Sequence, residues 1–165
     1  MLSGFLRRTA VALAAAGLLF SPGNSAKSQW ATSPPASALT IPASELIQPA
    51  DLNRLLRASG AEKPLILQVG SRMMFAEAHI PGSEYAGPGS QSDGVQVLRA
   101  RVASLTRETF IILYCGCCPW NRCPNVGPAY SLLHGMGFTR VKVLYIANNF
   151  GDDWVNKGFP VAKGQ

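Results

Sequence analysis

Phe110-Ile111-Ile112-Leu113-Tyr114 runs without a polar break into Cys115. A half-solvated strand alternates apolar with polar, whereas a short run apolar at every position reads as a strand buried on both faces. Beyond it, Cys115 to Cys123, read CGCCPWNRC, holds all four cysteines of the chain. A helix is expected from about Asn125 to Met136, closed by Gly137, and Val141 to Ile146 supplies another apolar strand. Upstream, Val95, Leu98, Val102 and Leu105 recur at helical spacing. Earlier still, Leu65 to Val69 is a short apolar strand between Pro64 and Gly70. Pro49 opens a helix carrying Leu52, Leu55 and Leu56 on one face, with Gly60 as its stop. Strands alternating with helices at this pace predict βαβ units and a parallel sheet covered on both sides. Such sheets gather ligand chemistry at the carboxyl ends of their strands, where Cys115 falls.

The rest of the chain supports one domain of this kind. Its 165 residues suit a single hydrophobic core, and 47% hydrophobic against 15% charged residues excludes a disordered chain. The N-terminus places Arg7-Arg8 before an apolar run from Ala10 to Phe20 and then Ser21-Pro22-Gly23, the order of a secretory signal. That run is about half the ~20 residues a membrane span needs, so export without a lasting anchor is expected. Residues 1–26 are assigned to the signal, with cleavage after Ala26 favoured over Ala38. The arginine pair leaves both the general and the twin-arginine routes open. Residues 27–44, rich in Ser, Ala, Thr and Pro, read as a tether, and 45–165 as the folded domain. The formal charge of +6 falls when Arg7 and Arg8 leave, and the remaining basic residues are scattered. No nucleic-acid footprint results.

A thiol attacks as its thiolate, and a helix N-terminus or a nearby cation lowers its pKa. Both are close to Cys115: the helix expected near Asn125 points amide N–H groups back at the loop, and Arg122 adds a fixed charge. A phosphatase cradle of the form Cys-x5-Arg is excluded, because the sixth residue after Cys115 is Asn121.

Several short motifs occur in a fixed order: Gln68-Val69-Gly70, Ala78-His79-Ile80-Pro81-Gly82-Ser83, Leu113-Tyr114-Cys115, and Trp154 followed by Gly158-Phe159-Pro160-Val161. From Leu46 to Val161 the chain resembles the rhodanese homology domain. The resemblance implies an α/β fold, a doubly wound five-stranded parallel sheet flanked by helices in a single domain. It also implies a sulfurtransferase in which Cys115 carries sulfane sulfur as a persulfide. Cys115 and Arg122 are then the expected catalytic residues, and Gly116, Cys117, Cys118, Pro119, Trp120, Asn121 and Cys123 form the substrate-binding loop. The expected partners are a small-molecule sulfur donor and a thiol or protein acceptor, with a redox partner protein if the loop thiols work as a relay; no cofactor is expected. Two departures stand out. Gln68 and Gly70 replace the family's Asp and Arg, with Arg72 a candidate substitute, and the active loop is longer, since Arg122-Cys123 follow Cys115 by seven and eight residues rather than five and six. Loop size tunes substrate choice in the family, so thiosulfate is not fixed as the donor.

The three further thiols leave alternatives open. Cys118 or Cys123 could resolve Cys115 as a disulfide and make a thiol-disulfide relay. Cys115, Cys117, Cys118 and Cys123 could hold a soft metal, although structural zinc usually draws its pairs from two segments. A disulfide such as Cys117 to Cys123 could merely stiffen the loop, and an inactive binding module is the remaining reading. Elsewhere, His79 before its turn and His134 on a helix read as structural or surface residues, and Asp152-Asp153 as the start of a short helix. Trp120 is either a pocket wall or surface packing, and Met73, Met74 and Phe75 read as core fillers.

Overall fold

The computed structural model describes residues 41–164; the expected signal peptide and residues 27–40 of the tether lie outside them. Five strands form one sheet: β1 (Leu46–Ile47), β2 (Leu65–Gln68), β3 (Glu84–Tyr85), β4 (Ile111–Tyr114) and β5 (Val141–Leu144). Their order is β1-β5-β4-β2-β3, and every pair is parallel. The helices are α1 (Pro49–Arg57), α2 (Arg72–Glu77), α3 (Ser92–Val102), α4 (Val126–Gly135) and α5 (Phe150–Asp153). The parallel sheet expected from the alternation, and the doubly wound five-stranded form that the resemblance implies, are therefore present. No helix among the described residues is long and apolar enough to cross a membrane.

Side-chain alternation along the buried strands divides the interior into two cores. Ile111 and Leu113 of β4 join Leu67 of β2, Val141 and Val143 of β5, and Leu98, Ala129 and Leu133 from α3 and α4. Ile112 and Tyr114 face the other way, with Ile66, Leu144, Leu52 of α1 and Trp154 after α5. All four residues of β4 are buried, as a strand covered on both faces requires.

Local chemistry sets the ends of the elements. Pro49 begins α1, where its missing N–H costs nothing. The helix stops where Ala58 turns extended, before Gly60, and Lys63 Nζ satisfies the carbonyls left free at this end by donating to Leu55, Leu56 and Ala58 at 3.2, 2.7 and 2.8 Å. Asn149 caps α5 by accepting the Asp152 N–H at 2.9 Å, so Asp152 and Asp153 belong to a short helix as read from sequence. Met73 is a correction: it is 78% exposed, because α2 turns Phe75 to the core and leaves Met73 on the outer face. The packed body also begins earlier than residue 45. Ile41 is buried in the α3/α4 core and Ala43–Glu45 form a 3-10 turn, since one branched apolar side chain in a proline-rich stretch is enough to dock it.

Chain direction across the sheet reverses between β2 and β4. The path moves outward from β2 to β3, then returns to lay down β4 and β5 on the other side of β2. The crevice at the carboxyl ends of β2 and β4 is thus the topological switch point, the position where open α/β sheets bind ligands.

Candidate active site

Cys115 is the first residue after β4 and only 4% exposed. The strand beside it ends in register, Gln68 opposite Tyr114, with the Val69 N–H donating to the Tyr114 carbonyl at 2.8 Å. Gln68 ties the two strand ends further: its Nε2 donates to the Cys115 carbonyl at 3.3 Å and its Oε1 accepts the Gly70 N–H at 3.1 Å. Gly70 then leaves room for the sulfur. A Cβ at that position would stand 2.9 Å from Cys115 Sγ.

Asn125, one residue before α4, completes the surroundings of the thiol. It is buried, and its Nδ2 donates to Cys115 Sγ at 3.3 Å and more weakly to Cys117 Sγ at 3.9 Å. Its Oδ1 accepts from the Ser90 N–H and hydroxyl at 3.1 and 2.7 Å, which fixes which way the amide points. Asn commonly caps a helix with its side chain, but here that side chain makes no cap and turns to sulfur. Its place directly before the helix was the signal in the sequence, and the capping habit hid the use.

The loop from Gly116 to Pro124 is held from behind. Gly116 adopts φ 77°, a left-handed conformation that favours glycine, and a Cβ there would lie 2.7 Å from Phe150 Cβ. Its carbonyl accepts the Phe150 N–H at 3.0 Å. Trp120 opens a 3-10 turn, Trp120–Arg122, donates its backbone N–H to the Ala147 carbonyl at 3.1 Å, and packs its ring on Tyr145 at 5.0 Å between centroids. It therefore docks the loop on the segment that follows β5. Asn121 and Arg122 are exposed, and among the described residues the Arg122 side chain forms no hydrogen bond or ion pair; only its carbonyl enters the site, accepting from Cys118 Sγ at 3.7 Å.

All four cysteines are free thiols, and three of them converge. The sulfurs of Cys115, Cys117 and Cys123 all lie within 4.8 Å of one another. Cys115 and Cys117 are nearest, Sγ to Sγ 3.1 Å, and Cys117 to Cys118 is likewise 3.1 Å. The sequence pointed to Cys118 or Cys123 as the partner of Cys115; the left-handed Gly116 brings Cys117 closer instead.

Charge is not placed where the sequence suggested. Cys123 is pulled down to about 6, first by the hydrogen bond from the Cys115 thiol and then, against burial, by the backbone N–H groups of Asn125 and Val126 at the start of α4. Cys115 is pushed up, because it gives its proton toward Cys123 and because it is buried. The two shifts run in opposite directions, so the helix N-terminus favours negative charge on Cys123 over Cys115. Burial pushes Cys118 up to about 12.

No protein-family model matches the chain, and no curated protein matches it. Solved structures do. The BH2092 protein from Bacillus halodurans is 25% identical with a TM-score of 0.56, over 73% of this chain and 77% of that one. The rhodanese-like domain of the Alr3790 protein from Anabaena sp. is 22% identical with a TM-score of 0.53, over 72% and 79%. The single-domain sulfurtransferase RDL2 from Saccharomyces cerevisiae is 12% identical with a TM-score of 0.51, over 69% and 90%. The chain has the rhodanese-like fold. Within this rhodanese-like domain the departures noted in the sequence have physical counterparts. Gln68 braces the two strand ends with neutral hydrogen bonds, and Arg72 lies over the Tyr85 ring, 4.2 Å from its centroid. His79 is structural: it is buried, its Nδ1 lies 2.8 Å from the Phe75 carbonyl, and its ring stacks on Phe75. His134 is exposed beside Tyr130.

Proposed function

We propose that this chain is a sulfurtransferase that carries a sulfane sulfur as a persulfide on Cys115. The observation that supports it best is the setting of that sulfur: it stands at the switch point, faces a glycine rather than a side chain, and receives the Asn125 amide at 3.3 Å. As Cys115 attacks, its proton passes to the Cys123 sulfur, whose charge the α4 N-terminus already favours. With thiosulfate as donor, the Cys115 thiolate forms a bond to the outer sulfur, the donor's S–S bond breaks, and its electron pair leaves on sulfite. The resulting persulfide stands on a sulfur that packs against the Cα side of Gly70, where a side chain would displace it. An acceptor thiolate then takes the outer sulfur and expels the Cys115 thiolate. The Arg7-Arg8 signal supports placing this work outside the cytoplasm.

Mass spectrometry of the reduced chain after incubation with thiosulfate and with an organic persulfide tests the reading. One added sulfur on the peptide containing Cys115 is expected from at least one donor, and none in Cys115→Ser. Equal loading of Cys115→Ser would overturn it.

A second reading is supported by the 3.1 Å approach of Cys117 to Cys115. In it, the Cys117 thiolate attacks the inner sulfur of the persulfide, hydrosulfide leaves with the electron pair, and a Cys115–Cys117 disulfide remains for a dithiol protein to reduce. Sulfide release with no added acceptor, lost in Cys117→Ser, distinguishes this relay from simple transfer.

A further inference from the structure

We propose that Cys115, Cys117 and Cys123 form a three-coordinate site for a soft monovalent cation, cuprous copper. Their sulfurs all lie within 4.8 Å of one another. A planar trigonal site with metal–sulfur bonds of about 2.3 Å needs its sulfurs roughly 4 Å apart, so small side-chain rotations from this arrangement suffice. Backbone geometry brings the ligands together without a second segment of the domain. Gly116 in its left-handed conformation turns Cys117 back beside Cys115, and the Trp120–Arg122 turn returns the chain so that Cys123 closes the third corner.

The donor set selects the ion. The group contains three sulfurs and, among the described residues, no imidazole or carboxylate, which disfavours hard cations and suits cuprous copper. Structural zinc takes four ligands in a tetrahedron. Cys118 is the only remaining thiol; its Sγ approaches Cys117 Sγ at 3.1 Å and donates to the Arg122 carbonyl at 3.7 Å, but it is not within 4.8 Å of all three sulfurs of the mutually close triad. An outer shell is also in place. Asn125 Nδ2 reaches two of the three sulfurs and is itself fixed by Ser90, the kind of N–H···S support that orients metal-bound thiolates. Cys115 is buried while Cys117 and Cys123 are half-buried, so the ion would be shielded from solvent yet reachable from one side.

This site does not depend on sulfur transfer, and its test is read without it. The full chain, reduced and kept free of oxygen, is titrated with cuprous copper against a chromophoric cuprous chelator. One tightly held equivalent is expected, with X-ray absorption reporting three sulfur neighbours. Cys117→Ser and Cys123→Ser should each weaken binding by more than the ten- to hundred-fold that loss of an outer-shell partner costs, roughly the loss expected of Asn125→Ala. Cys118→Ser should bind within about threefold of the parent, a change of under 1 kcal/mol. Circular dichroism checks that each variant folds, and the sulfur count on the unaltered chain decides the matter should a variant not. Failure to compete with the chelator overturns the proposal. So do unchanged affinity in both Cys117→Ser and Cys123→Ser, an equal loss in Cys118→Ser with four sulfur neighbours, or tighter binding of zinc than of cuprous copper.

Discussion

Two loops leave adjacent strands at the switch point, and they divide the work unequally. The loop after β2, Val69-Gly70-Ser71, is short and brings no reactive side chain; the loop after β4, from Cys115 to Asn125, is long and brings four thiols and a buried amide. Gln68 binds the bases of both. The contrast teaches that placing a reactive sulfur takes a missing side chain as much as it takes donors. One loop supplies the chemistry, and the other gives up a side chain so that the thiol can sit against bare backbone.

The contrast can be broken from either side. Cys115→Ser should abolish sulfur loading, measured by mass, while leaving the fold intact by circular dichroism, because Ser nearly preserves the volume. Gly70→Ala attacks the silent loop: its Cβ would meet Cys115 Sγ at 2.9 Å and Gln68 Nε2 at 3.0 Å. Displacing the thiol in this way should slow loading on the order of ten- to a hundred-fold, with overpacking lowering stability by about 1–3 kcal/mol in urea denaturation. If Gly70→Ala loads sulfur at the parent rate, the division of labour is wrong.

Smaller effects sharpen it. Asn125→Ala removes a donor to Cys115, whose sulfur becomes anionic only as it attacks; a hydrogen bond to a charged group is worth about 1.5–3 kcal/mol, so loading should slow roughly tenfold or more. The pH profile follows from Cys123, whose folded pKa is lowered to about 6. Above that value the pair carries its negative charge; as pH falls through it, the thiolate is protonated and the loading rate should drop, reaching about a tenth of its plateau one unit lower. Cys123→Ser should erase this limb from the profile. Arg122→Ala is expected to do least, under about threefold in steady-state rate, since its exposed side chain reaches none of the sulfurs and a solvated charge is strongly screened.

What could be read in advance follows from how local the signals are. The buried run through Tyr114 announces β4 and the position of Cys115, because an unbroken apolar stretch too short for a core helix fits a strand covered on both faces. The edge strands β1 and β3 are two residues each, too short for any period, and the sheet's five-strand count rested on resemblance alone. The roles of Asn125 and Cys123 were hidden for a different reason. Whether a residue near a helix start caps that helix or turns to a sulfur depends on the path of the loop before it, which the Gly116 conformation and the Trp120–Arg122 turn decide together. Arg122 shows the converse: proximity in sequence to a thiol made it a candidate anion stabiliser, and the same turn points its side chain outward.

Ser90 precedes Asn125 by 35 residues and hydrogen-bonds to none of the cysteines, yet it is the anchor that keeps the amide nitrogen rather than the oxygen aimed at the thiol. An exchange as mild as Ser90→Ala would remove the shorter of these two bonds and leave the backbone N–H alone to hold the amide in the orientation that serves an anion. A survey of variants ranked by distance from the reactive atom would file this one as harmless, and its phenotype would arrive through the back of the pocket.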